Sequence, residues 1–269
     1  MKSLSLIISE KTRRVIFLTF ILISLFTISP AHAVLIAYWD ADGNTNDAVG
    51  GRNGTWANGS AAFADGISGQ AFDFRSSGRY VSITDDDIWT LGSNDFTVNL
   101  WANFNAVNTR SPFIGHAEGG GNANKWIFWY DAQGHRKIGV PALRLHINGP
   151  ALGAQDPVVA PWSPNVDQWY NVSVSRSGND YFLYIDGQLA IQEQHASSIP
   201  NPQIALTIGK AESFLFDGLI DDVRIYNHAL SLSEIQQLYQ PIPEPATMLL
   251  LGSGLFGLAG FMRRFKKHN

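Results

Sequence analysis

The chain has 269 residues, no cysteine and a formal net charge of −4. That charge is unevenly placed, because residues 34–242 hold 11 Lys plus Arg against 21 Asp plus Glu, a net −10. So acidic a stretch excludes nucleic acid and anionic membrane as electrostatic partners, the missing cysteines exclude disulfides as the source of stability, and the length suits one large β domain.

A basic patch (Lys2, Lys11, Arg13, Arg14) precedes an apolar run at 15–28 and the small-x-small triplet Ala31-His32-Ala33. This reads as a secretory signal peptide over 1–33, leaving Val34 as the first mature residue. An N-terminal anchor helix is the alternative, but the run falls short of the roughly 20 residues a bilayer span needs. From Val34 onward the chain consists of short alternating apolar runs between turn residues, the pattern of strands. They fall at 34–39, 72–74, 80–83, 96–104, 111–115, 126–130, 143–147, 170–175, 181–185 and 204–208. Asp186-Gly187 marks a tight hairpin after one of them. The last run alternates Leu219, Asp221, Val223 and Ile225 on one face with Ile220, Asp222, Arg224 and Tyr226 on the other. Ser231 or Ser233 then caps a short helix, with Glu234 three residues after Ser231 in capping-box position.

Three stretches carry a family resemblance: FTVNLWANF at 96–104, WYNVSVSRSGNDYFLYIDGQLA at 169–190, and FDGLIDDVRIYNHALSLSEIQQLY at 216–239. The third ends in a strand and short helix on which Gly218, Ile220 to Asn227, Ala229 to Ser231, Glu234 and Ile235 match the family pattern. This part of the chain resembles the laminin-G-like, concanavalin A-like domains of secreted proteins, least closely from 105 to 165. The resemblance implies an all-β fold, a two-sheet antiparallel jelly-roll sandwich over 34–240 with one short C-terminal helix.

The C-terminus, 241–269, has its own pattern. Pro243-Glu244-Pro245 precedes an uncharged apolar run at 246–262, and Arg263, Arg264, Lys266 and Lys267 follow. The run is at the short limit for a transmembrane helix, and the basic cluster belongs on the cytoplasmic side. The tail resembles the PEP-CTERM sorting signal of Gram-negative bacteria; an ordinary membrane anchor is the alternative. The resemblance implies that the membrane protease exosortase recognises the tail after the secretion machinery has exported the chain. The protein would be held transiently in the inner membrane and then released to the cell surface or extracellular matrix.

The chemistry of the 34–242 stretch points away from catalysis. Glycosidases need two carboxylates flanking one bond, and the four glutamates here, Glu118, Glu193, Glu212 and Glu234, are scattered. His146, in the run Leu143-Arg144-Leu145-His146-Ile147, faintly echoes the strand histidine of polysaccharide lyases but lacks the accompanying Gln. A cation site has more support. Asp40, Asp42 and Asp47 lie in an oxygen-rich turn after the first strand, and the family resemblance implies that such a turn can share a Ca2+ with an acidic pair on the closing strand, here Asp221 and Asp222. Ca2+ takes six to eight hard oxygens, so it would be structural or assist a ligand. Asx-turns and an arginine partner account for the same residues without a metal.

Sugar recognition stacks an aromatic face on a pyranose ring. Trp126, Trp129, Tyr130 and Trp162 fall where the chain departs most from the family, near candidate loops at 118–124 and 157–164, although large aromatics also fill sandwich cores. The expectation is an exported, noncatalytic carbohydrate-binding (lectin-like) or adhesion module for extracellular polysaccharide or a surface glycan. A structural or protein-binding matrix component without sugar binding is the alternative, and a polysaccharide lyase or hydrolase a weaker one.

Overall fold

The computed structural model describes residues 34–240, apart from Ser77 and Asn108. The expected signal peptide and sorting tail, with Pro243, Glu244, Pro245, Arg263 and Arg264, lie outside the described residues. Among these, two antiparallel sheets face each other across one core. The first sheet runs β13 (Gln188–Gln194), β12 (Asp180–Ile185), β11 (Trp169–Ser177), β6 (Phe96–Phe104), β17 (Gly218–Tyr226), β4 (Gln70–Asp73), β3 (Phe63–Asp65), with β1 (Leu35–Trp39) also paired to β17. The second runs β10 (Gln155–Pro161), β9 (Ala142–Asn148), β8 (Lys125–Asp131), β7 (Arg110–Ala117), β14 (Leu206–Ile208), β5 (Tyr80–Ile83), β2 (Gly54–Ala57). A small hairpin joins β15 (Lys210–Ala211) to β16 (Phe214–Leu215).

Period-two alternation decides what enters the core. From β6 it takes Phe96, Val98, Leu100, Ala102 and Phe104, and from β8 it takes Trp126, Phe128 and Tyr130. Phe104 sits at a junction of rings, its centroid 5.3 Å from Phe216, 5.5 Å from Tyr130 and 5.8 Å from both Phe113 and Trp162. Tilted and edge-to-face pairs of this kind each add about 0.5–1.5 kcal/mol beyond their area burial. The turn between β12 and β13 places Asp186 at φ 50° and Gly187 at φ 72°, the double left-handed conformation that a two-residue hairpin requires.

The outer face of the first sheet is closed off. Asn99 donates to Asn171 Oδ1 (2.8 Å) and Ser173 Oγ (2.7 Å), and Thr97 Oγ1 accepts from Leu230 N at 2.9 Å. The segment leading into α1 (Leu232–Tyr239) thus covers these buried polar groups, and Tyr239 stacks on Trp101 at 5.7 Å. The expected capping box is present: Ser231 Oγ accepts from Glu234 N, and Ser231 N donates to Glu234 Oε2 at 2.8 Å. The outer face of the second sheet is roofed only in part, where the β15–β16 hairpin packs over β7.

Two expectations need correction. In β17 the alternation breaks at Asp222, which has φ 54°, and the pairing with β6 shifts between Asp221 and Arg224. This β-bulge adds a residue, so Ile220, Val223 and Ile225 all enter the core, whereas unbroken alternation put Val223 and Ile225 on the face of Asp221. Second, most of the expected loop at 157–164 is strand β10. An edge strand tolerates proline because one side of its backbone pairs with nothing, and the register is irregular between Gln155 and Val158, around Pro157. The short strands β2, β3, β15 and β16 have no alternation long enough to show in sequence.

Candidate functional site

The outward positions of the second sheet make a polar hollow. On β8, Trp129 and Asp131 point away from the core; on β9, Arg144 lies opposite Trp129 in register and His146 lies two residues on. Arg110 at the start of β7 pairs with Asp131, and Asp156 on β10 and His135 from the loop after β8 complete a cavity of about 260 Å3.

A buried network holds these side chains in place. Asp156 accepts from Arg144, from His146 Nδ1 (2.9 Å) and from His135 Nε2 (2.9 Å). Burial alone would push its carboxyl up. The hydrogen bond from His146, the charge of Arg144 and the hydrogen bond from His135 outweigh burial and hold it well below the ordinary carboxylate range. Arg144 also donates to Asp131 Oδ2 at 2.8 Å, and its guanidinium lies 4.5 Å from the centre of the Trp129 ring. Arg110 lies 5.6 Å from that ring and 5.2 Å from Phe214, contacts of cation–π type.

Two further hollows continue along the same face. One of about 390 Å3 is lined by Tyr80, Glu118, Thr207, Lys210 and Glu212, and another of about 460 Å3 by Asn58, Tyr80, Lys210 and Leu215. Glu212 borders the first two hollows, and Tyr80 and Lys210 border the last two. The row therefore crosses the sheet from β10 to β5 and ends beside β2.

The expected aromatic contacts are mostly elsewhere. Trp126 and Tyr130 are core residues, 1% and 3% exposed. Trp162 is half-buried and packs edge-on against Phe104, Tyr130 and Tyr170. Of the four, Trp129 alone borders the hollow, and its ring is stacked with His146 and covered by Arg144. Trp126, Tyr130 and Trp162 pack in or against the core between the sheets and Trp129 is covered by Arg144, so among the described residues these rings form no exposed stacking platform. His146 does line the hollow. Arg110, Asp131, His135, Arg144 and Asp156 were not anticipated; the alternation of Arg144 with Leu143 and Leu145 was the available signal, whereas Asp156 sat in what read as a loop edge.

The five expected cation ligands do not come together, and among the described residues no three of His, Cys, Asp and Glu form a metal-ready group. Asp47 is engaged by backbone N–H groups of Tyr38 (2.9 Å), Val49 (3.0 Å) and Arg52 (3.1 Å), so it organises the turn. Asp222, turned by the bulge, accepts from the Tyr38 hydroxyl and pairs with Arg224 at 3.0 Å. Asp40 accepts from Asp42 N at 3.1 Å. Asp42 and Asp221, in contrast, flank one loop: Asp42 Oδ1 accepts from Gln70 N (2.7 Å) and Asp221 Oδ2 from Ile67 N (2.9 Å). Added Cβ atoms there would lie 2.4 Å from Asp221 Oδ2 at Gly66 and 2.1 Å from Asp42 Oδ1 at Gly69, so only glycine fits the loop between the carboxylates. Asp221 is fully buried, and its Oδ1 has no hydrogen-bond partner among the described residues. Burial first, and the charge of Asp222 second, push its carboxyl up to about 8. Asp42 and Asp221 are therefore the two of the five expected residues that could contribute oxygens to a hard cation at this loop.

Residues 75–236 match the family model described as the concanavalin A-like lectin/glucanases superfamily, and residues 241–264 match the PEP-CTERM protein-sorting motif. Domain 4 of AbnA, a GH43 extracellular arabinanase from Geobacillus stearothermophilus solved in complex with arabinotriose, is 23% identical with a TM-score of 0.63; the match covers 77% of this chain and 99% of that one. The binding domain of Paraclostridial Mosquitocidal Protein 1 is 14% identical (TM-score 0.57, 76% of this chain, 51% of that one). The binding domain of botulinum neurotoxin serotype G is 16% identical (TM-score 0.56, 77% and 50%), so the chain spans about half the length of either toxin domain. At these identities the likeness is one of fold. No curated protein matches the chain.

Proposed function

Because the chain belongs to the concanavalin A-like lectin/glucanases superfamily, we propose that residues 34–240 are an exported, noncatalytic carbohydrate-binding module that holds a polysaccharide along the outer face of its second sheet. The observation that carries this reading is the row of three adjoining hollows on that face. A seven-stranded sheet is about 29 Å across at ~4.8 Å per strand gap, a length suited to a polymer segment and not to one small molecule. That domain 4 of AbnA was solved with arabinotriose adds support on the same fold.

The reading includes a route. Residues 1–33 direct export, and 241–269 are the substrate of exosortase, which releases the module to the surface or matrix of a Gram-negative cell; the sorting motif at 241–264 supports this. Asp42 and Asp221 hold a Ca2+ that stabilises the 66–70 loop. The test is binding of the full chain to the extracellular polysaccharide of the producing organism. Lys210→Ala with Tyr80→Ala, at the middle of the row, is expected to weaken binding, and Leu189→Ala, exposed on β13, to leave it unchanged. Equal loss from both sites, or none from the row, would overturn the assignment.

One observation favours a second reading. The Asp156–His146 pair beside Arg110 and Arg144 has the ingredients of a general base near an anion site. Turnover of an acidic polysaccharide to unsaturated uronate products that disappears in His146→Ala would establish a lyase.

A further inference from the structure

The hollow between Arg110 and Asp156 has an imbalance of donors and acceptors. Its two buried carboxylates are fully engaged by the protein. Asp131 Oδ2 accepts from Arg110 (3.3 Å) and Arg144 (2.8 Å), and its Oδ1 accepts from Gln133 N (3.2 Å). Asp156 Oδ1 accepts from Arg144 and His146, and its Oδ2 from His135 with Arg136 at 3.8 Å. The donors, by contrast, are in excess. Trp129 Nε1 and Arg144 Nε are buried N–H groups with no hydrogen-bond partner among the described residues, in side chains that are 2% and 6% exposed. Arg110 uses Nε alone in the hydrogen bonds seen among the described residues.

A buried donor without an acceptor is destabilising, and native structures retain few of them. Three donors around one cavity therefore point to an acceptor supplied from outside. A sugar hydroxyl brings its own proton and needs an acceptor in return, which the engaged carboxylates of Asp131 and Asp156 do not offer, and Glu212, the third carboxylate of the lining, is paired with Lys125. A carboxylate only accepts, and its planar pair of oxygens suits a guanidinium.

Resting on the polysaccharide-binding reading above, we infer that this hollow is an oxyanion subsite that takes the carboxylate of a uronic acid residue, held by Arg110, Arg144 Nε and Trp129 Nε1. The net charge of −10 over 34–242 repels a polyanion at long range. The matching ligand is accordingly a largely neutral polymer with acidic residues at intervals, recognised locally. A sulfate ester presents the same oxyanion chemistry and is separated from a carboxylate by the test.

The full chain in detergent micelles is titrated with galacturonate, glucuronate and mannuronate oligosaccharides, each beside its methyl ester, and with a sulfated galactan oligosaccharide, which carries no carboxylate. The methyl ester keeps the hydroxyls and loses the charge. At least one uronate is expected to bind tenfold or more tighter than its ester, as a charge-assisted hydrogen bond requires. Arg110→Gln, at a half-exposed side chain, and Trp129→Phe, which keeps the ring and removes the N–H, are each expected to reduce that affinity about tenfold. The indole N–H resonance absent from Trp129→Phe should move downfield with the acid and stay in place with the ester. A sulfated ligand that binds tighter than every uronate overturns the carboxylate assignment. Equal affinity for acid and ester overturns the subsite and leaves polysaccharide binding standing. Binding of none of the oligosaccharides, while the native extracellular polysaccharide is still bound, also overturns the subsite; failure of that polysaccharide as well overturns both readings.

Discussion

Asp221→Asn tests the carboxylate buried behind the 66–70 loop. The substitution keeps the shape and the backbone contacts from Ile67 and Ser68 and removes the charge. In the wild-type fold the carboxyl is held at about 8 instead of the usual 3.8, by burial and then by Asp222. The folded chain thus keeps a proton that the unfolded chain releases, so stability falls as pH rises from about 4 to about 8 and is level on either side. At ~1.4 kcal/mol per pH unit the full fall is at most about 6 kcal/mol, less whatever local opening relieves. Ca2+ reverses the sign by pairing with the ionised form. At a hundredfold excess over its dissociation constant it returns about 2.7 kcal/mol, with its largest effect near pH 8. Urea denaturation at pH 5, 6.5 and 8, in chelator and in Ca2+, reads both effects. Wild type should lose stability with rising pH in chelator and regain it with Ca2+, while the variant should lack that fall relative to wild type and be indifferent to calcium. A wild-type stability independent of pH in chelator, or a variant that keeps the calcium gain, would refute the reasoning.

Two other substitutions probe the rest of the structure. Trp126→Ala removes a core ring that is 1% exposed and should cost about 3–5 kcal/mol in urea denaturation; a loss below about 1 kcal/mol would place the ring outside the core. Asp156→Asn should cost about 3–5 kcal/mol at pH 7, because Arg144 and two histidines lose a buried anion. Its carboxyl is held low, so its contribution is present above about pH 4 and fades as pH falls through the folded value. Acid unfolding followed by tryptophan fluorescence should therefore show a flatter acid limb in the variant.

Local pattern carried a large part of this fold. The alternation in 96–104, 126–130 and 80–83, the Asp186-Gly187 turn and the Ser231–Glu234 box each describe a few adjacent residues, and each recurs in the structure at or within a residue or two of its expected place. Backbone sterics and period-two burial act over that range, so a sequence reader can apply them. The extra residue at Asp222 defeats such reading, because a bulge is set by what pairs across the strand, and it sent the two adjacent carboxylates to different partners.

The hollow on the second sheet is assembled from positions as far apart as Arg110 and Glu212. Strand order brought them together, and the sequence alone does not show that order. Whether a tryptophan is filler or contact also depended on the opposing sheet: Trp126 and Trp129 are both buried, yet only Trp129 borders the hollow. The sequence by itself determined most of the longer strands, the Asp186-Gly187 turn and the closing helix, since these obey short-range geometry. The tertiary structure alone decided which carboxylates were already engaged and which N–H donors were left without acceptors, because hydrogen-bond satisfaction depends on every neighbour in space.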